Sequence, residues 1–261
     1  MTRTSAAIAI TFALATIPAS AQDGAEDASL AQQLANPVAS LISVPFQFNY
    51  DGNIGPGDDG NRVYMNLQPV VPIGIGDNWN VISRTILPIT WQDDIFPGAG
   101  DQFGLGDTTQ SLFLSPVRPA FGRVIWGVGP ALLLPTATDD LLGSGKWGVG
   151  PTGVVLTQLG PWTVGMLSNH IWSYAGDSDR AKVSSTFIQP FMSYTTPSAW
   201  TFTLNSESTY NWKTESWAVP VNGIVAKLVQ VDEQRIQFGA DARYWLNSAP
   251  GGRRVSEQDS S

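Results

Sequence analysis

The sequence predicts an all-β chain, a transmembrane antiparallel β-barrel. Three observations carry this. Polar and apolar residues alternate with period two over stretches such as 200–212 and 234–246, the mark of strands with one polar and one apolar face. Tryptophans stand at both ends of the apolar faces, as in the girdles of a membrane barrel. Charged residues are only 14% of the 261-residue chain, against about a quarter in ordinary soluble domains. Beyond the first residues no apolar run is long enough to span a membrane as a helix.

Composition removes other classes. Ten Trp and eleven Phe are too much apolar surface for a disordered chain. The absence of Cys excludes a disulfide scaffold and thiolate metal sites. A net charge of -8 repels phosphates, so nucleic acid is not an expected partner.

The chain divides into four parts. Residues 1–21 form a signal peptide: Arg3, a short apolar stretch from Ala6 to Ile17, and Ala19-Ser20-Ala21 as the cleavage site. The protein is therefore expected to be exported. Residues 22–43 form an N-terminal segment, periplasmic or lumenal, with a short helix over 29–34. The barrel occupies 44–246, and 247–261 is a polar tail in the place of a final strand.

Eleven strands are visible, near 44–50, 61–73, 79–91, 104–115, 121–134, 147–159, 162–174, 182–195, 200–212, 217–229 and 234–246. Twelve steps at about 3.3 Å and a tilt near 40° climb roughly 30 Å, a bilayer core. Trp79 and Trp91 share a face, as do Trp200 and Trp212; Trp147, Trp162, Trp172 and Trp217 also fall near strand ends. These eight are the expected aromatic girdle. Links alternate between short (Gly76-Asp77-Asn78, Ser115-Pro116, Gly160-Pro161) and long (51–60, 92–103, 135–146), the asymmetry of periplasmic turns and outer loops. Pro69, Pro88, Pro130, Pro151 and Pro190 fall inside strands, where a missing N–H implies bulges or breaks.

Strand charges give the lumen candidates. Arg62, Arg235, Arg243, Glu207 and Asp241 lie on polar faces. Arg84 is placed inward because Trp79 and Trp91 hold the opposite face, and Asp107 because it shares a face with Thr109 and Ser111. Lys227 is placed inward because a lipid-facing Lys at the midplane costs about 2–4 kcal/mol. The result is a polar, mildly cationic path, or charges that pair across the lumen and constrict it. The long loops are acidic, with Asp93, Asp94, Asp101, Asp139 and Asp140 among others. None has the spacing of an EF-hand, and no metal or cofactor is expected. His170 follows Ser168 and Asn169, but neighbours along one strand cannot form a catalytic set, and no enzymatic activity is expected.

A family resemblance is carried by Asn36-Pro37-Val38-Ala39-Ser40-Leu41-Ile42-Ser43-Val44-Pro45-Phe46-Gln47. Asn66-Leu67-Gln68-Pro69-Val70-Val71-Pro72, Ser83-Arg84-Thr85-Ile86-Leu87-Pro88, Phe103-Gly104-Leu105-Gly106-Asp107, Gly127-Val128-Gly129-Pro130, Ile171-Trp172-Ser173-Tyr174-Ala175-Gly176 and Gln189-Pro190-Phe191 add to it. The chain resembles the bacterial outer-membrane proteins labelled "MetA-pathway of phenol degradation", some of which carry the label neuromedin U. The resemblance spans about Ala35 to Gly252. It implies a barrel of about twelve strands in the outer membrane, a link to uptake of aromatic compounds, and no catalytic residues. Members usually add a strand ending in aromatic residues after the equivalent of Pro250-Gly251-Gly252. Here Arg253 to Ser261 stand instead, as a frameshift or shortened reading frame would leave them.

The expected function is a channel or transporter for small solutes, aromatic ones on the strength of the resemblance. The rivals are a structural or lipid-binding barrel with a closed lumen, and a barrel lipid hydrolase using His170. Expected partners are outer-membrane lipid, lipopolysaccharide, the barrel-assembly machinery and a small-molecule solute.

Overall fold

A computed structural model describes residues 7–15, 24–55, 57, 59–232 and 234–247. The cleavage site at 19–21 and the tail beyond 247 lie outside the described residues. In chain order the elements are β1 (Ala7–Ala15), α1 (Gly24–Leu34), β2 (Ser43–Ile54), β3 (Gly60–Leu67), β4 (Val70–Ile75), β5 (Trp79–Asp93), β6 (Gln102–Leu105), β7 (Thr108–Pro116), β8 (Val124–Leu134), β9 (Lys146–Leu159), β10 (Trp162–Gly176), β11 (Ser184–Thr195), β12 (Trp200–Asn205), β13 (Ser208–Asn211), β14 (Ser216–Val231) and β15 (Gln234–Asn247).

Each strand pairs antiparallel with its neighbours in one sheet, and the sheet closes on itself through β1. The pairs β3–β4, β6–β7 and β12–β13 are each one stave broken in two, so the described residues make twelve staves. Eleven coincide with the strands expected from alternation, with ends moved by a few residues. The twelfth is the backbone of β1, within the stretch assigned above to the leader. It runs from Ala7 opposite Arg243 to Ala15 opposite Arg235 on one side. On the other it runs from Ile10 opposite Phe48 to Ala15 opposite Ser43. The turn expected at Ser115-Pro116 lies further on, because β7 runs through Pro116 and β8 begins only at Val124.

The prolines explain the broken staves. A proline has no N–H to give its neighbour. Pro69 itself separates β3 from β4, and its carbonyl accepts from Thr85 N. Pro88 lies beside the break between β6 and β7, where Gly106 N donates to its carbonyl at 2.9 Å. Pro190 lies beside the break between β12 and β13, where Ser206 N reaches its carbonyl at 3.2 Å.

Pro130 and Pro151 face each other across β8 and β9, and the ladders on their far sides are interrupted. The β7–β8 register skips from Ser111–Ala131 to Leu114–Val128. The β9–β10 register skips from Asn169–Thr152 to Trp172–Val149. At these gaps the backbones crowd together. A Cβ on Gly129 would stand 1.8 Å from Leu112 O, and one on Gly150 would stand 1.7 Å from His170 O. Only glycine fits before either proline.

Outward faces are apolar and inward faces mixed. The eight expected girdle tryptophans are all on the exposed surface. Trp79, Trp162 and Trp200 begin staves at the short-turn end; Trp91, Trp147, Trp172, Trp212 and Trp217 stand at the long-loop end. Inside, Ile82, Phe113, Val154, Leu156, Leu167 and Phe191 pack with Val38 into one apolar cluster.

The helix α1 fills the short-turn end of the lumen. Glu26 and Asp27 occupy its first turn, where negative charge meets the positive end of the helix dipole. It ends before Asn36-Pro37, since the residue before a proline avoids helical geometry. Leu30 and Ala31 are fully buried against Ala39, Leu41, Ala199 and Leu228. Gln32 Nε2 donates to Gly160 O in the β9–β10 turn at 2.7 Å. The helix packs against inward residues of β14 and the β11–β12 turn and, at Gly24–Leu34, is longer than the expected 29–34.

Candidate functional site

The lumen carries polar groups at three levels. At the long-loop end, Arg62 Nε donates to Gln92 Oε1 at 3.0 Å. Gln92 is almost fully buried and donates to Gln102 Oε1 and Leu141 O. The loop from β8 to β9 thus folds over this end of the barrel. Asp107 fastens that loop: its carboxylate accepts from Ala137 N at 3.3 Å and from Ser144 N and Oγ, both at 2.6 Å. Asp107 precedes β7, so its place is the loop anchor, away from the face of Thr109 and Ser111 assigned to it from alternation. Lys146 and Arg180 add bonds to the carbonyls of Asp177, Asp140 and Gly143.

At mid-height Arg243 is the hub. Its guanidinium donates to Asn222 Oδ1 at 2.9 Å, Tyr64 Oη at 3.0 Å and Asn49 Oδ1 at 3.2 Å. Glu207 faces it at 3.6 Å and accepts from Gln189 Nε2. Asn222 in turn donates to Asn205. Asp241 is buried on the same inward face of β15. A buried guanidinium needs its donors filled, and here four side chains on β2, β3, β14 and the β12–β13 break meet it. They draw β15 toward β2 and β3 across the lumen.

Arg84, on β5, sits lower and is served differently. Its Nη2 donates to Gln68 Oε1 at 3.2 Å, and Gln68 Nε2 donates to Gln47. Among the described residues no ion pair reaches it. It faces a cavity of about 190 Å³. Polar Gln68, Gln189 and Asn205 line this cavity together with apolar Phe191, Val70 and Leu41. The end of α1 and the residues that follow it, Gln33 to Pro37 and Ala39, form its floor. At the short-turn end, Arg235 is buried and bonds Asp27 Oδ1 at 2.8 Å, with Glu26 at 3.8 Å.

Lys227 faces outward, against expectation. It pairs with Trp200 and Phe238 on the lipid side. Its Nζ reaches the carbonyl of Ser198 in the turn and lies over the Trp200 ring, 5.6 Å from its centroid. The large cost of a lipid-facing Lys belongs to the midplane; near an interface it falls to about 0–1 kcal/mol, and the long side chain snorkels. The inward candidates Arg62, Arg84, Glu207, Arg235, Asp241 and Arg243 contribute to the lumen wall or its network. Asn49, Tyr64, Gln68, Gln92 and Asn222 were not singled out from sequence. Tyr64 and Gln68 share a polar face with Arg62, and Gln92 lies on the strand of Arg84.

His170 also faces outward. Its Nδ1 is 2.7 Å from Thr186 Oγ1, which also accepts from Trp212 Nε1. Its ring lies 4.0 Å from that of Trp172. Ser168 points its hydroxyl at Phe187 O at 2.8 Å.

No protein-family model matches the chain, and no curated protein does. Among solved structures, an outer membrane channel from Pseudomonas putida F1 is similar in fold. The TM-score is 0.51 at 16% identity, covering 94% of this chain and 96% of that one.

Proposed function

We propose that this chain is an outer-membrane barrel that passes small solutes through a narrow, gated lumen. The observation that carries the reading is the polar wall that runs from Arg62 past Arg243 and Arg84 to Arg235. Buried charge costs several kcal/mol per ion before pairing; cross-stave bonding accounts for Arg243, and a solute path accounts for the rest of the polar wall. The similarity in fold to a channel of Pseudomonas putida F1 supports the reading. So do the motifs that resemble the phenol-degradation barrels, which also suggest aromatic solutes. The apolar outer face and tryptophan girdles suit outer-membrane lipid and lipopolysaccharide as surroundings, reached with the help of the assembly machinery.

A second reading, a closed barrel, is favoured by the seating of α1 and by the Arg243 network, which both occupy the bore. Planar-bilayer recordings separate the two. The channel reading expects discrete conductance from the full chain, larger when residues 24–41 are deleted. An inserted barrel that conducts in neither form is the closed one. We assign no catalysis to His170. Its ring sits among tryptophans on the lipid face, and the Ser168 hydroxyl is turned to a carbonyl.

A further inference from the structure

The inward surface of this barrel is divided. The inward residues of β5, β7, β9, β10 and β11 make the apolar cluster of Ile82, Phe113, Val154, Leu156, Leu167 and Phe191. The staves from β12 round to β3 carry Asn205, Asn222, Arg243, Asn49 and Tyr64. The cavity beside Arg84 lies on the boundary. Phe191, a member of the apolar cluster, forms one wall; Gln68, Asn205 and the Arg84 guanidinium form the other.

Arg84 is the one charged side chain among the described residues that line this cavity. A guanidinium offers five N–H donors in a planar fork. Here one hydrogen bond, to Gln68, is formed among the described residues. Arg243 shows how the same chain treats a guanidinium whose role is to hold staves together: three hydrogen bonds and an ion pair. Glu207 is near enough to attract Arg84, but its carboxylate is engaged by Arg243 and Gln189. The fork at Arg84 is under-filled, and it faces open volume.

The volume sets the size of the occupant. A cavity of about 150 Å³ holds benzene, and this one is about 190 Å³. A carboxylate fits the fork in bidentate fashion, and a single ring or a branched alkyl of similar size fits against Phe191, Val70 and Leu41. Amide groups of Gln189 and Asn205 stand at the same wall to take the remaining acceptor or donor.

We propose that the Arg84 cavity is a binding station for a small monocarboxylate with an apolar body of about one ring. The proposal rests on the lumen being a solute path and names the class of solute that pauses there. A cation of the same size is repelled at this point, and a neutral analogue leaves the fork unfilled.

The test uses the full chain in lipid nanodiscs and reads equilibrium binding, which does not require conduction. The probes are 4-fluorobenzoate, neutral 4-fluorobenzyl alcohol and cationic 4-fluorobenzylamine, followed by fluorine NMR. We expect saturable binding of the benzoate, with the alcohol weaker by about tenfold to a hundredfold, the scale of a lost charge-assisted hydrogen bond, and the amine not bound. Arg84→Gln weakens the benzoate by a similar factor and leaves the alcohol unchanged; Arg84→Lys keeps part of the preference. Equal affinities for benzoate and alcohol in the unmodified chain overturn the proposal, whether or not the variants fold. So does undiminished benzoate binding in a folded Arg84→Gln barrel. Binding without conductance in planar bilayers rejects the channel reading and leaves the site; conductance without binding rejects the site alone.

Discussion

Releasing α1 is the perturbation that best probes the bore. Two of the contacts that hold the helix, at Leu30 and Asp27, can be weakened without touching a stave. Leu30 is 2% exposed among Ala39, Leu41, Ala199 and Leu228, and Leu30→Ala in such a setting costs about 2–5 kcal/mol. Asp27 bonds the buried Arg235 at 2.8 Å. A hydrogen bond to a charged group contributes about 1.5–3 kcal/mol. Glu26, at 3.8 Å and half exposed, takes over part of that in Asp27→Asn, leaving a loss of about 1 kcal/mol. The two positions are neighbours on one helix face and their effects are not strictly additive. The lower end, about 3 kcal/mol, is the safer sum, and it shifts the docking equilibrium by about a hundredfold. Two assays read it. A glutamate-specific protease cuts after Glu26 faster in the double variant, and single-channel recordings show a larger open fraction. If cleavage rate and open fraction both stay at the unmodified values, α1 is not a plug held by these contacts and the gating argument fails.

Four further outcomes follow from the geometry. Gly129→Ala and Gly150→Ala each force a Cβ onto a carbonyl less than 2 Å away and cost at least about 1–3 kcal/mol in urea unfolding from lipid. Gly153→Ala, whose nearest neighbour is 3.8 Å away, changes little. Arg243→Met leaves the partly exposed Glu207 without that cation and Asn49, Tyr64 and Asn222 without their donor, and destabilises by about 1–3 kcal/mol; adding Glu207→Leu recovers part of this, and a double-mutant cycle measures how much. Lys227→Met changes stability by no more than about 1 kcal/mol and leaves conductance alone; a marked change in conductance would return Lys227 to the lumen. Asp107→Ala removes three hydrogen bonds to the β8–β9 loop, and amide exchange across 136–145 speeds up while the staves stay protected.

The staves were legible because alternation and length are strong signals. A segment such as Trp200–Trp212 offers one apolar face, and its thirteen residues exceed what a soluble sheet usually needs. The prolines were legible as a conflict but not as a solution. Their meaning lies in the neighbour: Pro88 breaks the stave of Gly106, and Pro190 breaks that of Ser206. No reading along one strand contains that pairing. The helix α1 was visible in outline, but its seat was not. Its partners are Ala199, Leu228 and Arg235, about two hundred residues away in sequence.

Lys227 shows the limit of the face argument most sharply. Alternation assigns a face; the cost of a charge on that face depends on depth in the bilayer, which alternation does not supply. Using the midplane cost for a residue near the turn moved Lys227 to the wrong side. The inverse lesson comes from β9 and β10. There the alternation is blurred, because Val154, Leu156 and Leu167 are as apolar as the lipid-facing Val155 and Met166 beside them. In a barrel with a uniformly wet bore both strands would alternate as cleanly as β15 does. Strands apolar on both faces have something apolar to meet on each, and within this bore that is the cluster around Phe113 and Phe191. Blurred alternation within a barrel sequence is thus itself a signal. It marks the staves whose inner faces pack together, and by elimination it marks the polar side of the bore, from β12 round to β3, with Arg243 within it and Arg84 on β5 at its boundary.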